Sequence, residues 1–199
     1  MKGSRQMFYA FAKTVVSFVY KIFFKTKVTG AENIPKEGGV ILCCNHRSYH
    51  DTVVLGLISP KPVHFLAKKE LFKGKFFASL FMGLGAIPID REKPSMDSLK
   101  RVVGTLKKGK TIGIFMQGGR QEELDTADYK AGVALFGIKG QAPVVPVYIQ
   151  STFKMFSPIH VNIGEPISFE EHYGAKVNSE QLNDLAQTVM SAIAELGSV

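Results

Sequence analysis

Five short, almost unbroken apolar runs recur along this chain, at 40–44, 63–67, 86–89, 111–116 and 143–149, each bounded by Gly, Pro or charge. A strand with one wet face alternates in polarity, whereas an unbroken run suits a strand covered on both faces. Helical patterns follow at 49–58, 70–82, 95–108, 128–139 and 179–196. Strand and helix in alternation predict an α/β fold with a mostly parallel central sheet flanked by helices. A chain of 199 residues that is 45% hydrophobic and 21% charged has the material for one such core. Disorder is excluded.

Charge narrows the class of partner. The net charge is +8, which favours an anionic one. Residues 1–31 carry six bases (Lys2, Arg5, Lys13, Lys21, Lys25, Lys27) and no acid, and nine of the 15 Phe fall within 8–24 and 72–81. Phe mixed with Lys at helical spacing fits an anionic membrane surface. With no Trp to stack on bases, nucleic acid is not an expected partner. Cys43 and Cys44 are adjacent in sequence, so no loop-closing disulfide is expected and a reducing, cytoplasmic compartment is the simpler reading.

Residues 7–24 have about the length of a membrane span, but Lys13 and Lys21 interrupt them and no secretory cleavage pattern follows. On a helix, Lys13, Ser17 and Lys21 form one narrow polar stripe, and Phe8, Phe11, Val15, Phe18 and Ile22 lie outside it. That predicts a helix lying in one leaflet, its lysines snorkelling to head groups; packing on the domain's own core is the alternative. The expected division is a membrane-associated helix at 1–27 and a catalytic domain at 28–199. A second basic-aromatic stretch, at 68–81, is expected to face lipid as well.

In parallel α/β sheets the active site gathers beyond the carboxyl ends of the strands. Asn45, His46, Arg47, Ser48, Tyr49, His50 and Asp51 follow the first run, Asp90 and Arg91 the third, and Gln117, Gly118, Gly119 and Arg120 the fourth. His46 supplies a base near neutral pH, and Asp51 can fix its tautomer and support its charged form. Arginine forks suit a phosphate, and paired glycines admit one close to the backbone. On one continuous helix His46 and Asp51 would point about 140° apart, so their pairing requires His46 in the loop and Asp51 on the first helical turn. Ser48 and Asp51 also match a capping box, a role compatible with catalysis. His50 is the weaker base candidate, and Cys44 reads as a strand residue, not a nucleophile. No cluster of metal ligands is visible.

These residues resemble the glycerolipid acyltransferases that make phosphatidic acid. Asn45-His46, four residues and then Asp51 is similar to that family's first signature. Lys68-Lys69-Glu70-Leu71 and Gly85-Ala86-Ile87-Pro88-Ile89-Asp90-Arg91 resemble its second block. Phe115-Met116-Gln117-Gly118-Gly119-Arg120 stands where the family has Phe-Pro-Glu-Gly-Thr-Arg, and Ala142-Pro143-Val144-Val145-Pro146-Val147 is similar to the fourth. The ordered set is the specific signal. In the third block Gln117 replaces an acid, which leaves the surroundings of Arg120 more positive.

The resemblance implies direct transfer of an acyl chain from acyl-CoA or acyl carrier protein to the 2-hydroxyl of 1-acylglycerol-3-phosphate (lysophosphatidic acid), in phospholipid biosynthesis. His46 and Asp51 would be catalytic. Arg91, Arg120, Gly118, Gly119 and Lys68 would hold the acceptor phosphate, with Asn45 and Gln117 in support. No cofactor or metal is expected, and the site is expected at the cytoplasmic face of a membrane. An acyltransferase acting on glycerol-3-phosphate or another lysophospholipid, and a non-catalytic lipid-binding module, are the competing readings.

Overall fold

A computed structural model of the chain describes residues 2–90, 95–117, 124–127 and 129–198. The strands are β1 (Lys25–Thr29), β2 (Val40–Cys44), β3 (Val63–Lys68), β4 (Ile87–Ile89), β5 (Thr111–Phe115), β6 (Val144–Gln150) and β7 (Pro158–Ile163). The helices are α1 (Lys2–Phe23), α2 (Tyr49–Ile58), α3 (Lys75–Gly83), α4 (Met96–Leu106), α5 (Gly132–Gly140) and α6 (Ser179–Gly197). All seven strands form one sheet in the order β1-β7-β6-β2-β5-β3-β4, parallel except for the β6–β7 pairing.

β2 is buried along its whole length, as its unbroken apolar run requires. Its residues alternate between two cores. Ile41 and Cys43 join Val102, Leu106, Ile138, Val189 and Ile193 beneath α4, α5 and α6. Val40, Leu42 and Cys44 join Tyr20, Val54 and Leu55 beneath α1 and α2. The result is an α/β sandwich with helices on both faces of a mostly parallel sheet.

Two strands escape the sequence reading, β1 and β7. β1 is exposed at all five residues and carries Lys25 and Lys27, as suits an edge strand, and so presents no apolar run. β7 alternates, with Ile159, Val161 and Ile163 buried between more exposed neighbours. The single helix expected at 70–82 is divided. A 3-10 turn at Lys69–Phe72 precedes α3, and Gly74 between them takes φ +94°, which few side-chain-bearing residues adopt.

The stripe on α1 departs from the expectation at Lys13, while Lys21 remains exposed. Lys13 does not snorkel to lipid: its Nζ donates to the carbonyl of Ser59 at 2.6 Å, at the C-terminal end of α2. A cation there meets the negative end of the helix, and burial pushes the Lys13 ammonium's pKa down. Tyr20 is buried on the same side, and Tyr9 Oη accepts the Val63 N–H at 3.3 Å. At Lys13, Ser17 and Tyr20 the helix therefore faces the domain, while Lys21 at the end of the stripe is exposed. The apolar side of α1 faces out, with Met7 and Phe11 70% exposed and Phe18 66%. The boundary expected at residue 27 falls inside β1, whose Lys27 is in register with His160 of β7. No helix among the described residues is long and apolar enough to cross a membrane.

Candidate active site

Because β2, β3, β4, β5 and β6 run parallel, their carboxyl ends share one edge of the sheet. Cys44 closes β2 there and the chain continues into Asn45 and His46. Asn45 is buried and bridges to β6, its Nδ2 donating to the Ile149 carbonyl at 3.0 Å and its Oδ1 accepting the Ile149 N–H at 2.8 Å. This side chain extends the ladder where the backbone leaves it. Asn45→Ala strands both groups of Ile149, so we expect a loss of about 3 kcal/mol and a Tm roughly 6–12 °C lower by circular dichroism.

With the strand end clamped, His46 lies in the loop and Asp51 on the first turn of α2. His46 Nδ1 stands 3.1 Å from Asp51 Oδ2, which also accepts the N–H groups of Arg47 and Ser48, each at 2.7 Å. Ser48 Oγ in turn accepts the His50 N–H at 3.2 Å, completing a capping box. An oxygen receiving two backbone donors acts as acceptor toward His46 too. It holds the proton on Nδ1 and leaves the Nε2 lone pair free. The same carboxylate thus caps the helix and orients the imidazole.

The imidazole stacks on Phe115, with ring centroids 3.9 Å apart, and Phe115 lies parallel to Phe65 at 6.1 Å. A Cβ at Gly113 would meet the Phe65 ring at 2.4 Å, so only glycine leaves room for that ring. Phe65 also walls an apolar cavity of about 190 Å³ between α1, α2 and β3, lined among others by Tyr9, Val16, Val53 and Leu57. Sequence reading missed Phe65 and Tyr20. Apolar periodicity marks such residues as core without saying which rings border a site.

His50 points elsewhere. Its Nδ1 meets Tyr20 Oη at 2.5 Å, and its ring stacks on Phe153 at 4.9 Å. Burial, with the Asp51 charge adding to it, pushes the Tyr20 phenol up to about 12, so the phenol stays protonated at neutral pH. Cys44 is fully buried, and that burial pushes its thiol's pKa well up, which suits a strand residue and not a nucleophile.

Lys68 ends β3 exposed at this edge, in register with Ile89, and Gln117 is buried just after β5. Arg91, Gly118, Gly119 and Arg120 lie outside the described residues. Asp90 and Gln117, which immediately precede them, follow β4 and β5 at the edge that carries His46. Among the described residues no three His, Cys, Asp or Glu side chains gather as a metal site.

A buried-strand α/β sandwich with a His–Asp pair at the carboxyl edge defines a class, and a family model described as Acyltransferase matches residues 25–150. The chain belongs to that family. It is 31% identical over 194 residues to the 1-acyl-sn-glycerol-3-phosphate acyltransferase of Bacillus subtilis, covering 94% of this chain and 96% of the relative. It is 29% identical over 205 residues to the Streptococcus pneumoniae protein of the same name, covering 98% and 75% respectively. The crystal structure of the 1-acyl-sn-glycerophosphate (LPA) acyltransferase PlsC from Thermotoga maritima shares the fold. Its TM-score is 0.72 at 23% identity, over 100% of this chain and 83% of that one.

Proposed function

We propose that this acyltransferase moves an acyl chain from a thioester, acyl-CoA or acyl carrier protein, to the 2-hydroxyl of 1-acyl-sn-glycerol-3-phosphate, giving phosphatidic acid. The observation that carries this reading is the His46–Asp51 contact, which leaves Nε2 free at the sheet edge. The acceptor hydroxyl passes its proton to Nε2 as its oxygen attacks the thioester carbonyl. The tetrahedral intermediate then collapses, the C–S bond breaks, and the imidazolium returns the proton to the leaving thiolate. Asp51 supports the charged imidazole between these steps. The apolar cavity behind Phe65 offers space to an acyl chain.

The acceptor's phosphate is assigned to Arg91 and Arg120, with Lys68, Gly118 and Gly119 as further phosphate-binding residues. Arg91→Ala and Arg120→Ala are expected to raise KM for the phosphorylated acceptor by roughly 10–100-fold, leaving KM for the thioester little changed. Arg→Lys should rescue poorly, since an ammonium lacks the bidentate fork. Initial rates at varied acceptor and thioester check this. Equal effects on both substrates would assign the arginines another role.

The outward apolar face of α1 supports docking into one leaflet, as a peripheral protein on the cytoplasmic side. Free-thiol release with a panel of acceptors tests the substrate. We expect turnover with 1-acylglycerol-3-phosphate and little with glycerol-3-phosphate or a neutral lysophospholipid. Gln117, where the family has an acid, makes the panel informative, because a preference for another acceptor would trace to that block.

A further inference from the structure

The turn between β6 and β7 combines features that a plain connection does not need. Two bulky residues, Phe153 and Phe156, take φ +52° and +64°, a left-handed conformation that aromatic residues rarely adopt. The turn is held there by hydrogen bonds. Phe153 N–H donates to Ser151 Oγ at 3.0 Å, Ser157 N–H to the Lys154 carbonyl at 2.9 Å, and Ser151 Oγ to the Pro158 carbonyl at 2.8 Å. The outcome is an exposed apolar tip, with Met155 68% and Phe156 63% exposed beside exposed Lys154.

The tip is attached to α1. Phe156 N–H donates to the Phe23 carbonyl at 2.8 Å, taking up a carbonyl at the end of that helix, and the two rings lie 6.1 Å apart. The last turns of α1 carry exposed Val19, Lys21 and Ile22, so apolar surface and positive charge continue from the helix onto the turn. The inner side of the turn reaches the first turn of α2, where Phe153 stacks on His50, and it meets Phe24, just after α1, edge-on.

We propose that residues 151–157 form a second membrane-inserting element, which enters an anionic leaflet through Met155 and Phe156 and holds the His46 edge of the sheet against it. The proposal rests on the reading that this enzyme works at a lipid surface. Two apolar side chains offer far less than the ~800 Å² per partner of a stable protein interface, whereas a leaflet accepts a small aromatic wedge flanked by lysines. The rare backbone conformation keeps the Phe156 ring outward.

The chain contains no Trp, so one introduced indole reports its own surroundings. Phe156→Trp and Met155→Trp are compared with Phe11→Trp on α1 and Glu180→Trp on α6, each folded by circular dichroism. The probe is vesicles of equal parts phosphatidylcholine and phosphatidylglycerol with brominated chains. We expect blue-shifted, quenched emission at 155, 156 and 11 and none at 180, and about tenfold weaker sedimentation of M155S/F156S. Quenching at 11 with none at 155 or 156 overturns the proposal and leaves α1 docking intact. Absence of quenching at all four positions overturns both.

Discussion

His46→Ala is expected to lower turnover by about 10²–10⁴-fold with the fold retained, the usual contribution of a positioned general base. The side chain lies at the rim of the sheet edge, packed on one face by Phe115, and supports no strand pairing. Asp51→Asn is the sharper variant. Its amide oxygen can take the place of Oδ2 and keep the N–H groups of Arg47 and Ser48, since Asn caps well. Its amide nitrogen then falls where Oδ1 has no hydrogen-bond partner among the described residues. The capping survives while the charge supporting the imidazolium is lost. Turnover should therefore fall by about 10²-fold or more, while the buried amide N–H groups without an acceptor lower stability by only about 1 kcal/mol. Steady-state rates beside thermal melts separate the two roles. Near-full activity in Asp51→Asn would leave Asp51 a cap alone.

The second large effect is expected on membrane partition. Phe11, Phe18 and Ile22 project from α1 at 70%, 66% and 52% exposure, so replacing all three with Ser removes no core packing. Full burial of each side chain stabilises by about 1.5–3 kcal/mol. At partial depth in a leaflet the three together contribute about 3 kcal/mol, so binding to phosphatidylglycerol vesicles should weaken ~100-fold. Sedimentation measures this directly. Activity on membrane-borne acceptor should fall in parallel, while activity on a short-chain, dispersed acceptor should hold. Deleting the helix is a poorer test. It would uncover the cavity, remove the Tyr20–His50 hydrogen bond and free the α2 end from Lys13. Vesicle affinity unchanged by the three serines would place the docking surface elsewhere.

The placement of His46 against Asp51 was legible because it is set locally. The five apolar residues of β2 bounded the strand correctly, and Ser48 with Asp51 marked the start of α2. Between these two boundaries His46 has one short loop to occupy, and the 3.1 Å contact follows. What was not legible depends on neighbours. β1 is an exposed, lysine-bearing edge that exists through pairing with β7. The Phe periodicity of 72–81 runs straight across Gly74, where the backbone turns. The stripe of α1 shows which residues share a side, yet periodicity carries no sign. Lipid and protein core are alike to a helix face, and only the α2 carbonyl shows that Lys13 points inward. His50 and Phe153 meet across 103 residues, beyond any sequence period.

In the proposed reaction His46 activates the acceptor hydroxyl for a single direct transfer, with no acyl group on the protein. Thiol release followed first with the acyl thioester alone, and then after 1-acylglycerol-3-phosphate is added, tests it most directly. No release is expected before the acceptor, then sustained release matched one-for-one by phosphatidic acid. A burst stoichiometric with enzyme before any acceptor is present would show a covalent intermediate, and no release after its addition would contradict the assigned acceptor.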